Sequence, residues 1–228
     1  MRVLGPVQIV DEHGAVTDPP SVSQRRLLAV LALNARRTMR ADYLSDLLGV
    51  SSGALRTTVS RLRRTAGDGL VRSDPIGYRL DADVDADVFA TLVAGTGEPG
   101  HLARIDRALS LWHGDALDEF AHEAWAAADA ARLGELRAVA LERRAAALID
   151  LRRFGEAVAE LDVLVARHPW RDGARRLLME ALADDGRHTE ALHAYREYRD
   201  FLAENAGAAP SDDARRLAAR LVRERLPH

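Results

Sequence analysis

The stretch Val59-Ser60-Arg61-Leu62-Arg63-Arg64, followed after one turn by Gly77-Tyr78-Arg79-Leu80, decides how this chain reads. If Ser52 to Ala66 is helical, a period of 3.6 residues puts Leu55, Val59 and Leu62 on one face with Thr58 at its edge. The opposite face carries Thr57, Ser60, Arg61 and Arg64, flanked by Arg56. Such a helix docks its apolar stripe on a small core and turns guanidinium and hydroxyl donors toward phosphates and base edges. A solvated face of an ordinary surface helix has the same pattern, so the neighbouring residues decide between the two.

Working outward, Ala41 to Leu48 predicts a short helix that buries Tyr43, Leu44, Leu47 and Leu48 and is stopped by Gly49, after which Ser51 or Ser52 caps the arginine-bearing helix. Before it, Ser23 caps a helix containing Leu27, Leu28, Val30, Leu31 and Leu33, the most apolar stretch of this region and its expected core. Val3 to Val10 and Ala15 to Thr17 are β-rich and separated by the turn residues Asp11 to Gly14. On the other side, Leu70-Val71-Arg72, the turn Ser73 to Gly77 and Tyr78-Arg79-Leu80 predict a second hairpin. Strands, three helices and a terminal hairpin make a winged helix-turn-helix. The third helix is then expected in the major groove, with Arg72 and Arg79 of the hairpin placed for phosphate contact.

The charge supports this reading once it is divided. The whole chain carries a net charge of −3, but residues 1 to 80 hold 12 Arg against 7 acids, a net of +5, and residues 81 to 228 hold 20 Arg against 28 acids, a net of −8. A basic head attracts a polyanion, and an acidic remainder is freer to meet proteins. The chain has no Lys, which excludes a Walker-type nucleotide site, and no Cys, which excludes disulfides, thiolate zinc sites and a cysteine nucleophile. The first residues are too short and strand-like for a signal peptide, and no apolar run approaches the ~20 residues of a membrane span. A soluble cytoplasmic protein without membrane contact is expected.

From His101 the pattern is helical throughout, with breaks at Gly114, His168 to Trp170, Gly186 and before Ser211. Ala147, Leu148, Asp150, Arg153, Glu156 and Ala157 recur 34 residues later as Ala181, Leu182, Asp184, Arg187, Glu190 and Ala191. A 34-residue period of helix, turn and helix is the tetratricopeptide spacing. Gly95 to Gly100 matches GxGxxG in form, but Pro99 sits inside it and no βαβ unit surrounds it, so it reads as a linker. His122 to Ala126 begins like HExxH, but Ala126 stands where the second metal ligand must be. Asp115, Asp118 and Glu119 read as a charged helix start, and no nucleophile-elbow sequence is present. No catalytic constellation, metal site or cofactor is expected, and Trp112, Trp125 and Trp170 read as packing residues, with a ligand pocket between helices as the alternative.

These strings carry a resemblance over almost the whole chain. Arg2 to Pro6, Gln24 to Ala32, Val59 to Arg64 and Gly77 to Leu80 resemble the OmpR-type winged helix of the actinobacterial antibiotic regulatory protein family. Ala108 to Leu117, Trp125 to Arg137, His168 to Asp172 and Gly186 to Arg196 resemble that family's bacterial transcriptional activator domain. The resemblance implies a transcriptional regulator, an activator that binds direct repeats in promoter DNA as two protomers side by side and helps recruit RNA polymerase. By motif match Arg56, Thr57, Ser60, Arg61 and Arg64 take the major-groove role and Arg79 the wing role. Larger members add an ATPase or phosphothreonine-reading domain, so regulation here is expected through expression level, ligand or partner. The family's longer, Pro-containing loop between the second and third helices, which in OmpR-type activators meets polymerase, is reduced to Gly49 to Gly53. That departure bears on the polymerase contact more than on the DNA contact, and leaves repression open.

The expected fold is therefore mainly α, a winged-helix DNA-binding domain at 1–94 followed by an all-α, tetratricopeptide-like domain at 95–228. The competing reading is a helical-repeat adaptor whose winged helix meets protein; the charge split separates the two.

Overall fold

The computed structural model describes residues 1–11, 13–95 and 100–225. Two compact units are present, one formed by Met1–Gly95 with Arg107–Leu136 and the other by Thr96–Asp106 with Arg137–His228. The sequence reading set a single cut after residue 94, whereas residues 107 to 136 pack with the first unit.

The first unit opens with a small antiparallel ladder, β1 (Ile9–Val10) against β2 (Val16–Thr17), paired Ile9 to Thr17. Of the turn between them, Glu12 lies outside the described residues. Helix α1 (Val22–Leu33) follows the Pro19-Pro20 break directly, so Ser21 and not Ser23 supplies the cap, its hydroxyl accepting the Gln24 N–H at 3.3 Å. Leu27 to Ala32 are all buried, while Leu33, at the helix end, is only half-buried. After β3 (Met39–Arg40), α2 (Ala41–Leu48) ends at Gly49, whose φ of 64° lets the chain reverse within three residues. Leu44 is buried but Tyr43 is 53% exposed, because in a two-turn helix Tyr43 lies about 100° away from the stripe centred on Leu44. Helix α3 (Ser52–Ala66) is capped by Ser51, which accepts the Ala54 N–H at 3.2 Å.

The hairpin β4 (Val71–Asp74) and β5 (Gly77–Leu80) joins β3 in an antiparallel sheet of order β3-β5-β4. Helix α4 (Asp85–Ala94) buries Phe89 and Val93. Residues 110–126, expected to be helical, instead form turns and one 3-10 segment at Asp118–Phe120. Their apolar side chains Leu117, Phe120 and Ala126 are buried, and Leu117 adopts a φ of 57°. A regular helix could not satisfy both requirements of this segment. The His113 N–H reaches the Leu4 carbonyl at 2.8 Å and the Leu117 N–H reaches the Val3 carbonyl at 2.8 Å. From α4, the buried Asp85 carboxylate accepts the N–H groups of Val3 at 2.8 Å and Leu4 at 3.1 Å. The segment of Val3 and Leu4, which precedes β1, is thus held on two sides. Desolvation pushes the Asp85 carboxyl above its usual range, against the pull of these donors.

In the second unit, α7 (Phe154–Arg167), α8 (Asp172–Asp184), α9 (His188–Ala206) and α10 (Asp212–Arg225) pack successively, with the end of α6 (Ala127–Asp150) and the start of α5 (His101–Leu109). Ala145, Ala157, Ala174, Ala181 and Ala191 are fully buried, which lets the helix pairs approach closely. The 34-residue repeat is physical. Arg153 forks onto Glu156 with both bonds at 2.7 Å, and Arg187 forks onto Glu190 at 2.8 and 2.7 Å. At the equivalent turns Arg152 and Gly186 both have positive φ, 59° and 79°. The fold is mainly α, a winged helix and a tetratricopeptide-like helical unit.

Candidate nucleic-acid interface

Helix α3 is oriented by its apolar stripe. Leu55, Val59 and Leu62 are buried where α3 packs on α1 and α2, and this turns Arg56, Thr57, Ser60, Arg61 and Arg64 outward, all exposed. Among the described residues, Arg56, Arg61 and Arg64 have no carboxylate within ion-pair reach, in contrast to the paired arginines of the helical unit such as Arg171 on Glu142 at 3.0 Å. The Thr57 hydroxyl donates to the Gly53 carbonyl at 3.0 Å, so its donor is spent inside the helix.

The wing is built around a tight turn. The Asp74 carboxylate accepts the N–H groups of Ile76 at 3.0 Å and Gly77 at 3.1 Å, and the Thr38 hydroxyl donates to its second oxygen. These donors, Thr38 foremost, hold the Asp74 carboxyl below its usual range. Arg72 and Arg79 face each other in the ladder at the third pair back from the turn, behind Asp74 with Gly77 and Ser73 with Tyr78. Arg72 is paired with Asp81 at 2.6 Å, which relieves the like-charge pairing; Arg79 is half-buried. The tip itself is Pro75 and the exposed Ile76. Between α3 and the wing runs a cleft of 610 Å³, lined among others by Arg56, Ser60, Arg63, Arg64, Ser73 and Tyr78.

The structure therefore gathers five of the seven expected residues on one exposed helix face and sets Arg72 and Arg79 together on the wing strands. Sequence reading missed Arg63, whose Nε and Nη2 donate to the Val71 carbonyl at 2.9 and 2.8 Å while Nη2 also reaches the Ser73 hydroxyl at 2.8 Å. Its signal, an arginine beside the apolar stripe, becomes meaningful only once β4 is known to lie against α3.

Elsewhere, His122 to Ala126 lies in turns and not on a helix, and no cluster of three potential metal ligands occurs among the described residues. The centre of the GxGxxG match, residues 96–99, lies outside the described residues. No helix among the described residues is long and apolar enough to cross a membrane. Trp112 packs edge-on against Phe89 at 5.3 Å and Trp125 lies tilted against Phe120 at 5.7 Å; Trp170 contacts Phe201 at 4.7 Å yet stays 55% exposed.

Residues 84–222 match the family described as bacterial transcriptional activator domain. The regulatory protein DnrI of Streptomyces peucetius is 31% identical over 98% of this chain and 92% of its own length. The chain belongs to the antibiotic regulatory protein family of transcriptional regulators. Within that family it is 35% identical to the regulatory protein AfsR of Streptomyces coelicolor over 96% of this chain, and it spans only 24% of AfsR's length. The solved structure of EmbR from Mycobacterium tuberculosis, in complex with a low-affinity phosphopeptide, superposes with a TM-score of 0.84 at 26% identity. That match covers 100% of this chain and 65% of EmbR. The named relatives are regulatory proteins and not enzymes, and the winged helix and helical unit are the portion they share with this chain.

Proposed function

We propose that this chain is a sequence-specific DNA-binding transcriptional regulator that reads the major groove with Arg56, Thr57, Ser60, Arg61 and Arg64 and the adjacent backbone with Arg72 and Arg79. One observation carries the reading: among the described residues, the exposed guanidinium groups of Arg56, Arg61 and Arg64 have no carboxylate partner and share a helix face with Thr57 and the Ser60 hydroxyl, while the opposite face is locked into the core. Unpaired arginines release counterions on meeting phosphate and can fork onto guanine edges. The winged helix within residues 1–94 does the reading and the helical unit within residues 95–228 makes the protein contacts, without an enzymatic step or a cofactor, in the cytoplasm. Two protomers bind direct repeats side by side at promoters.

The sign of regulation is activation through RNA polymerase. The connection between α2 and α3 is only Gly49 to Ser51, which supports placing the polymerase contact on the helical unit instead of this loop. The test is enrichment of genomic fragments by the purified protein, followed by transcription in vitro from the recovered promoters. Paired direct repeats and raised transcription are expected. Lowered transcription from the same sites identifies a repressor, and sequence-blind weak binding supports the adaptor reading.

A further inference from the structure

We infer that Arg63 is a positioning residue that fixes the angle of the wing against α3, so that the wing's DNA contacts are made only in register with those of the helix. The inference rests on the DNA-reading function proposed above. In the sheet order β3-β5-β4, strand β4 is an edge strand, and an edge strand has a row of backbone groups unpaired by the sheet. Arg63 takes up that edge at one backbone group, with two donors on the Val71 carbonyl, and holds the same strand through a side chain, with Nη2 on the Ser73 hydroxyl. Arg72 lies between Val71 and Ser73, and Arg79 is its ladder partner. A shift of Val71 and Ser73 therefore moves both wing arginines together.

The hold depends on fork geometry more than on charge. Among the described residues Arg63 has no carboxylate within ion-pair reach, and its Nε and Nη2 are oriented by one planar group that a lysine ammonium cannot reproduce. A residue that merely touched phosphate would tolerate lysine, since a point charge suffices there.

The test compares wild type, Arg63→Lys, Arg79→Ala and the double variant of the full chain, each checked by thermal melting. The DNA probe is a promoter duplex recovered by fragment enrichment. Arg63→Lys is expected to weaken specific binding by about tenfold, the scale of one charged hydrogen bond. Arg79→Ala should then add little in the Arg63→Lys background, because a misplaced wing has already lost that contact. In the DNA-free protein, amide exchange across residues 71–80 should accelerate while that of α1 does not change. Wild-type affinity for Arg63→Lys, or losses that add fully with Arg79→Ala, would overturn the inference. If the wild type selects no sequence, the DNA-reading proposal has failed instead. The exchange measurement still judges Arg63, and unchanged protection of the wing would refute its role.

Discussion

Replacing Gly77 by alanine probes the wing without touching a charged group. Gly77 is the first residue of β5 and crosses β3 where Arg40 pairs with it. A Cβ there would fall inside the contact radius of the Met39 carbonyl oxygen, 2.8 Å from the Met39 carbonyl carbon and 2.9 Å from the Arg40 Cα. These are backbone atoms and cannot rotate away. Restoring ordinary carbon–carbon separations of about 3.5 Å requires β3 to retreat by more than half an ångström. That movement disrupts the two-residue ladder and strains the bond from the Ala41 N–H to the Ile76 carbonyl, now 3.0 Å. Overpacking against backbone together with one or two weakened backbone bonds costs about 2–4 kcal/mol. Urea denaturation followed by circular dichroism reads the cost, and binding to a recovered promoter duplex reads the effect on the wing. We expect a lower midpoint and weaker specific binding. A Gly77→Ala protein as stable as wild type would refute the close approach of β3 and β5.

Further outcomes follow from other parts of the fold. Gly186→Ala should cost about 1 kcal/mol in thermal denaturation, since its Cβ meets open space and only the positive φ is penalised; Arg152→Gly, at the equivalent turn, should stabilise by roughly half of that. An opposite ranking of the two would contradict the equivalence of the turns. For Asp74, whose carboxyl is held below its ordinary 3.8, the stabilisation is complete above that value and is lost as pH falls through the depressed one. The amide shifts of Ile76 and Gly77 should accordingly hold steady through the ordinary carboxylate range, and a midpoint at or above it would exclude the turn as described. A fragment of residues 1–94 loses Trp112 from Phe89, the backbone bonds of His113 and Leu117, and the Glu119 partner of Arg25. It should melt at lower temperature and bind a hydrophobic dye that the full chain does not, and a cooperative wild-type-like melt would count against the observed division of the chain.

What was legible in the sequence is what one element declares by itself. The stripe Leu55, Val59 and Leu62 and the outward set opposite it follow from a single helical period, and the stop at Gly49 and the repeated Arg-x-x-Glu turns follow from local backbone chemistry. Two-residue strands such as β3 have no periodicity to read. The cap at Ser21 was missed because the proline break sets where the helix starts, and Tyr43 because hydrophobicity alone does not say which side of a short helix is covered. The remaining misses are long-range. Nothing local in residues 107–136 says that their backbone will hold Val3 and Leu4, or that Asp85 will clamp the same segment from α4. The site shows the same division: its exposed face was readable from α3 alone, whereas the Arg63 clamp and the Thr38 to Asp74 contact join segments that only the folded sheet brings together.

In the proposed function the outward face of α3 reads sequence. This is tested most directly by titrating wild type and Arg61→Ala with a recovered promoter duplex and a scrambled duplex over a range of salt. Both proteins should show a steep salt dependence, and wild type should bind the promoter more tightly than the scrambled duplex. Arg61→Ala should lose about 1–3 kcal/mol on the promoter with little change on the scrambled duplex. Equal affinity of wild type and Arg61→Ala for the promoter at low salt would contradict sequence reading by α3.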